Sequence, residues 1–336
     1  MMGLANKTVI GLGSLVPSSR WKVWLYRRLG FQIGKHTRIR RGSYIYAKRA
    51  TLGDGVTLEP GVKIVCQELV MGDEAKIDSE TVVYGEGRLE MGRGAYVGPR
   101  AWINCATTIS LGVNTGVGPL SSIYTHGVWL PYVDGYPRKF EPVILEEGVW
   151  VPGNVAILPG VRIGKGSMIG GGSVVTKDVP PNSFAAGSPA RVVSSMDTIK
   201  LELGAPEVAT RLREAVDRFL ESLQQKGIEM ERETGGFYAR GGGRSLRKRP
   251  FAIRVFESPL DRETAAGLAV RRDSTEMILI AIAGIADEAI PLLSAARNLH
   301  WFDISGKRCS SAWKGYSYEL RRYFGSHYGI RFLLVK

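Results

Sequence analysis

Two of the chain's four histidines, His36 and His126, fall in its first 195 residues. An imidazole titrating near neutrality is the side chain best suited to take a proton from a weakly acidic hydroxyl. His36 is flanked by Lys35 and Arg38, with no cleft signal beside it, and reads as a surface histidine. His126 stands directly before the one long irregular stretch of this half, residues 129–142 (WLPYVDGYPRKFEP). A proline- and aromatic-rich loop on a regular scaffold is where function concentrates. Glu141 and Asp134, in that loop, or a backbone carbonyl would each serve to orient the ring. Three cysteines, Cys66, Cys105 and Cys309, are too few and too scattered for a disulfide framework or a CxxC metal site, so no metal and a reducing compartment are expected.

The element that must position His126 is a repeat. From Ile33 the chain falls into hexads: IGKHTR, IRRGSY, IYAKRA, LGDGVT, LEPGVK, and so on to IGGGSV and VTKDVP. All 21 hexads open with Ile, Leu, Val or Met. Nineteen carry a small or β-branched residue at the fifth position, the exceptions being Arg49 and Glu68, and nine have glycine at the second. Triplets of hexads start at 33, 52, 71, 91, 111, 145 and 163. Three hexads per turn describe a triangular coil whose opening aliphatic points inward, with glycines serving the turns. Coils stacked as parallel strands, about 4.8 Å apart, give a prism of about seven coils and roughly 30 Å. No coil buries its own core; stacking does.

This pattern resembles the hexapeptide-repeat acyltransferases. The closing segment VWVPGNVAILPGVRIGKGSMIGGGSVVTKDVPPNSFAAGSPARVV (149–193) is especially similar to the galactoside, maltose and serine O-acetyltransferases. The likeness covers about residues 15–195. It implies a left-handed parallel β-helix, a hand that spacing does not supply, since parallel crossovers are as a rule right-handed. It implies acetyl-CoA as acyl donor and a homotrimer with its groove between neighbouring prisms. By the same resemblance His126 is the general base and Asn104 faces the acceptor. Gly153 presents its backbone N–H to the thioester carbonyl, and Trp150 packs on pantetheine. Gly171, one coil higher, lines the same groove, and Thr176, Lys177 and Arg191 match the TKD and PAR signatures near the nucleotide end. Pro152 stands where relatives commonly carry glycine.

The expected function is O-acylation, most simply acetylation, of a sugar or cell-surface polysaccharide precursor. Acetylation of a non-sugar small molecule and a non-catalytic scaffold or binding role are the alternatives. The γ-type carbonic anhydrases share the fold but need three histidines on zinc. Serine acetyltransferases carry their helical domain before the prism, whereas here the addition follows it.

Two domains suit a chain of 336 residues. Residues 1–32 form a basic helical segment, 33–195 the β-helix, 196–249 a helix and linker, and 250–336 a small domain. Residues 1–50 hold 11 Lys or Arg and no acid, so most of the net charge of +13 sits at the N-terminus. Residues 15–31 read as a helix capped by Ser18 or Ser19, with Trp21, Trp24, Leu25 and Leu29 on one face. That helix packs on the first coil or lies on an anionic membrane surface. No apolar run reaches membrane-span length, and residues 3–17 lack the marks of a signal peptide. A cytoplasmic protein, peripheral at most to the inner membrane face, is expected, with no nucleic-acid partner. After Val193, residues 206–232 show helical periodicity and 234–246 a linker composition. PFAIRVFE, EMILIAIAGI, HWFDIS and IRFLLV then alternate as strands with three helices, the pattern of an α/β domain with a largely parallel sheet.

Overall fold

The computed structural model describes residues 19–127, 130–226, 228–233, 238–242, 251–256, 258–269, 276–296, 298–310, 315–328, 330 and 332–335. The chain forms two compact units, Met1–Leu201 and Glu202–Lys336.

The first unit is mainly β, a left-handed parallel β-helix whose three faces are three parallel sheets. The hexad register is the strand register. On the first face Ile33, Leu52, Met71, Met91, Leu111, Leu145 and Ile163 pair in succession. On the third face Ile45, Ile64, Val83, Ile103, Ile123, Ile157 and Val175 do the same, and all seven are buried. Fully burying one such aliphatic contributes about 1.5–3 kcal/mol, so the stacked columns are the main source of cohesion. The fifth-position hydroxyls tie coil to coil: Ser43 donates to the Glu59 carbonyl at 2.6 Å, Thr81 to Gly98 at 2.7 Å and Ser121 to Pro152 at 2.9 Å.

The exceptions Arg49 and Glu68 have a structural cause. The first-face strands of these coils begin early, and Ala50 and Leu69 supply an extra inward layer. Their neighbours therefore point outward, where Arg49 pairs with Glu68 at 3.3 Å. The second-position glycines are not turn residues either. A Cβ on Gly72 would lie 2.7 Å from the Arg93 backbone nitrogen, so glycine here permits the next coil to approach. The left-handed turns fall two residues later, where non-glycine residues such as Glu74 (φ 61°) and Asn114 (φ 56°) also occupy them.

The N-terminal helix spans Ser19–Arg28, and residues 15–18 of the expected helix lie outside the described residues. Its docked face differs from the expected one. Trp21 and Trp24 are 64% and 50% exposed, while Lys22 and Tyr26 are buried. Among the described residues no coil lies beneath the first, so its outward backbone groups need partners. Lys22 Nζ donates to the carbonyls of Arg40 (2.7 Å) and Ser43 (3.1 Å). Tyr26 Oη accepts from the Ile45 N–H at 2.8 Å, and Ser19 Oγ from the Ile39 N–H at 2.9 Å. The helix is a polar cap on an open β-edge. Burial holds the Lys22 ammonium below its ordinary pKa and pushes the Tyr26 phenol up to about 12.

At the other end, Ser183–Gly187 extends the second face and Ala190–Ser195 folds back antiparallel on it. The second unit opens with a helix, Ala205–Gln225, whose Gly204 N–H donates to Glu207 at 2.8 Å. The expected helix ends there: Glu229–Glu233 is a strand paired antiparallel with Tyr238–Gly242, inside the expected linker. Residues 234–237 and 243–250 of that linker lie outside the described residues. The sheet is mixed rather than largely parallel, with Phe251–Phe256, Glu276–Ala281 and Leu299–Asp303 as its parallel centre. The strand Arg308–Ser310 turns back on Leu299–Asp303 because only a tight connection separates them. Helices Arg262–Ala269, Ile290–Ala295 and Gly315–Tyr328 complete the unit.

Candidate active site

The long insertion is a hairpin that folds back beside His126. His126–Gly127 pairs antiparallel with Lys139–Phe140, and His126 stands opposite Phe140. The two rings lie 5.8 Å apart, tilted by 31°. A short 3₁₀ turn, Tyr132–Asp134, and the residues around it are exposed; Trp129 lies outside the described residues.

The imidazole is also held from below. Asn104, on the outer side of the third face and 2% exposed, places its Oδ1 2.7 Å from His126 Nδ1. An amide oxygen only accepts, so in the neutral ring Nδ1 carries the hydrogen and Nε2 the lone pair. Asn104 is in turn fixed by Thr125, whose buried hydroxyl donates to the Asn104 carbonyl at 3.0 Å and accepts from the Thr107 N–H at 3.0 Å. None of the three groups suggested for orienting His126 from sequence is this partner. Glu141 faces Lys139 at 3.1 Å, and Asp134 sits in the exposed turn. Asn104, expected to face the acceptor, meets the imidazole with its side-chain oxygen. The arrangement suits proton abstraction: a ring with fixed tautomer, one nitrogen tied to the scaffold and the other available.

Of the remaining sequence candidates, Trp150 and Arg191 belong to the second-face sheet, and the others divide between two edges of the third face. Trp150, 39% exposed, lays its ring over Gly116, where a Cβ would come within 2.6 Å of the indole. Gly153 follows in the turn toward the third face, its carbonyl accepting from the Gly172 N–H at 3.2 Å. Gly171, one coil higher, has room for a side chain, the nearest atom to an added Cβ being the Gly153 carbonyl oxygen at 3.7 Å. Arg191 lies on the terminal hairpin and donates to the Ala190 carbonyl at 2.9 Å. Thr176 and Lys177 follow the third-face strand Val174–Val175, at the edge that carries His126 and two coils above it. One chain thus presents its glycine edge and its imidazole on opposite sides of a face.

Sequence reasoning missed Phe140, whose only signal was its place at the end of the insertion. It also missed the pair Tyr84–Trp102, with ring centroids 5.0 Å apart and the indole N–H donating to the phenol at 3.1 Å. His36 occupies a left-handed corner of the first coil (φ 58°). Among the described residues no group of histidine, cysteine and carboxylate side chains is placed to hold a metal. The three cysteines are buried and free, and hydrogen bonding with Cys105, together with burial, pushes the Cys66 thiol up.

Comparison with known proteins finds likeness in the same region. Residues 142–177 match the family described as bacterial transferase hexapeptide (six repeats). Galactoside O-acetyltransferase of Escherichia coli K12 is 31% identical over 137 residues, 38% of this chain and 64% of that protein. A Staphylococcus aureus Mu50 protein, provisionally named an acetyltransferase, is 53% identical over 64 residues, 19% of this chain. The chain spans about a third of the length of such first curated relatives (32%). Among solved structures, a hexapeptide-repeat acetyltransferase of Vibrio cholerae complexed with acetyl coenzyme A shows 23% identity. That match covers 57% of this chain and 87% of the other, with a TM-score of 0.33. On its repeats and the sequence matches, the chain resembles the hexapeptide-repeat acetyltransferases.

Proposed function

We propose that the protein is a coenzyme A-dependent O-acetyltransferase acting on a hydroxyl of a sugar or polysaccharide precursor, with His126 as general base. The observation that carries this reading is the 2.7 Å approach of Asn104 Oδ1 to His126 Nδ1, which leaves Nε2 as proton acceptor at the mouth of the only long insertion in the repeat. His126 Nε2 takes the hydroxyl proton as that oxygen adds to the thioester carbon. The Gly153 N–H supports the oxyanion of the tetrahedral intermediate, and the imidazolium returns its proton to the departing sulfur. Trp150 and Gly171 line the pantetheine path, and Thr176, Lys177 and Arg191 lie toward the nucleotide phosphates.

Because the glycine edge and the imidazole flank one face, the complete groove forms between two prisms of a trimer. The galactoside O-acetyltransferase match supports a saccharide acceptor. The protein works in the cytoplasm, with the exposed pair Trp21 and Trp24, edge to face at 5.8 Å, and Arg20, Arg27 and Arg28 set toward the anionic inner membrane surface. The test is thiol release from acetyl-CoA across a panel of saccharides, comparing the parent with His126→Ala. The variant is expected to bind coenzyme A and to lose turnover by about 10²–10⁴-fold; parental turnover would remove His126 from the reaction.

A further inference from the structure

Strand alternation sorts the charges of the insertion hairpin. Residues two apart on a strand share a face, and residues directly opposite across an antiparallel pair share one as well. His126 opposes Phe140, so the imidazole and Phe140 stand on one side of the ribbon, the side to which Arg138, just before the strand, turns its guanidinium. Lys139 and Glu141 stand on the other, where they neutralise each other at 3.1 Å. Arg138 extends its guanidinium over the Phe140 ring, 4.8 Å from the centroid, and Phe140 in turn packs 5.8 Å from the imidazole. Among the described residues no carboxylate is paired with Arg138. The hairpin therefore cancels the cation that faces away from His126 and leaves uncancelled the one that shares its face. A guanidinium held over an aromatic ring has less freedom to lose on binding than an unsupported one, and its fork of N–H donors matches a carboxylate or phosphate.

We infer that Arg138 selects an anionic acceptor, a saccharide bearing a carboxylate or phosphate within about one sugar ring of the hydroxyl that His126 activates. This rests on the acetyltransferase reading and names the substrate class for it. Arg138 acts here as a specificity residue: it touches the acceptor's charge and leaves the reacting atoms to His126.

The test uses the full-length protein with acetyl-CoA and matched acceptors: methyl glucoside against methyl glucuronide, methyl galactoside against methyl galacturonide, and glucose against glucose 1-phosphate. In the parent, kcat/KM should favour an anionic member, the uronide or phosphate arm telling which group is read. Arg138→Ala should lower kcat/KM for that acceptor by about tenfold, mostly through KM, and change the neutral partner less than twofold. Arg138→Lys should recover part of the loss, since the point charge remains. Raising the salt should erode the parent's preference and leave Arg138→Ala unmoved. Equal turnover of neutral and anionic members by parent and variant would overturn the inference and leave the acetyltransferase reading standing. Transfer to no anionic acceptor would overturn it as well. Absence of transfer to every acceptor, neutral ones included, would count against both.

Discussion

Replacing Asn104 with alanine removes the group that, among the described residues, meets His126 Nδ1, and the structure sets the size of the loss. With the imidazole neutral, the 2.7 Å contact joins two uncharged groups, a bond contributing about 0.5–1.5 kcal/mol. Once Nε2 takes a proton the same bond has a charged donor, contributing about 1.5–3 kcal/mol. The difference, about 1–2 kcal/mol, belongs to the transition state alone and corresponds to about 5- to 30-fold in kcat. Free choice of tautomer and ring rotation add to this, so Asn104→Ala should lose about 10- to 100-fold in kcat. Affinity for coenzyme A should be retained. Asn104→Asp keeps an acceptor at the same place but favours the imidazolium before reaction, so the acid limb of its kcat/KM profile should move to higher pH. Thiol release measured against pH, with acetyl-CoA saturating, separates the two variants, and denaturant unfolding records the cost of removing a buried amide. Parental kcat in Asn104→Ala would refute the reasoning. Identical profiles for the alanine and aspartate variants would reduce Asn104 to a space-filling residue.

Gly171→Ala meets no atom closer than 3.7 Å, so it should fold with an unchanged melting temperature and weaken coenzyme A binding, read by calorimetry; unchanged affinity would move the pantetheine path elsewhere. Tyr26, buried with its phenol pushed up to about 12 from 10.0, favours the protonated form in the fold. Its contribution is therefore complete below pH 10 and lost between pH 10 and 12, about 3 kcal/mol for two units. Urea unfolding across that interval should show the loss in the parent and a smaller one in Tyr26→Phe. Residues 1–201, one of two compact units, should fold without the remainder and keep coenzyme A binding; loss of cooperative unfolding in that fragment would show that the units share stability.

What the sequence disclosed follows the geometry of the repeat. Columns such as Ile45–Ile64–Val83 are legible because every coil faces the same neighbour on each side, so one rule about inward residues holds 21 times over. The ends and the site break that symmetry. Among the described residues the first coil lacks a neighbour below and offers its backbone instead, which is why Lys22 and Tyr26 dock where apolar periodicity nominated Trp21 and Trp24. Asn104 and His126 belong to successive coils separated by 22 residues, and their contact depends on the outward register of one strand and the hairpin pairing of the next. Neither position alone discloses that contact. The proposed chemistry lies where the stack stops repeating: the insertion that interrupts the fifth coil supplies Phe140 and Arg138 to a face that the unbroken repeat below furnishes only with an amide. A prism of identical coils would present identical corners, and the one corner altered by an insertion is the place where a proton acceptor can be distinguished from its neighbours.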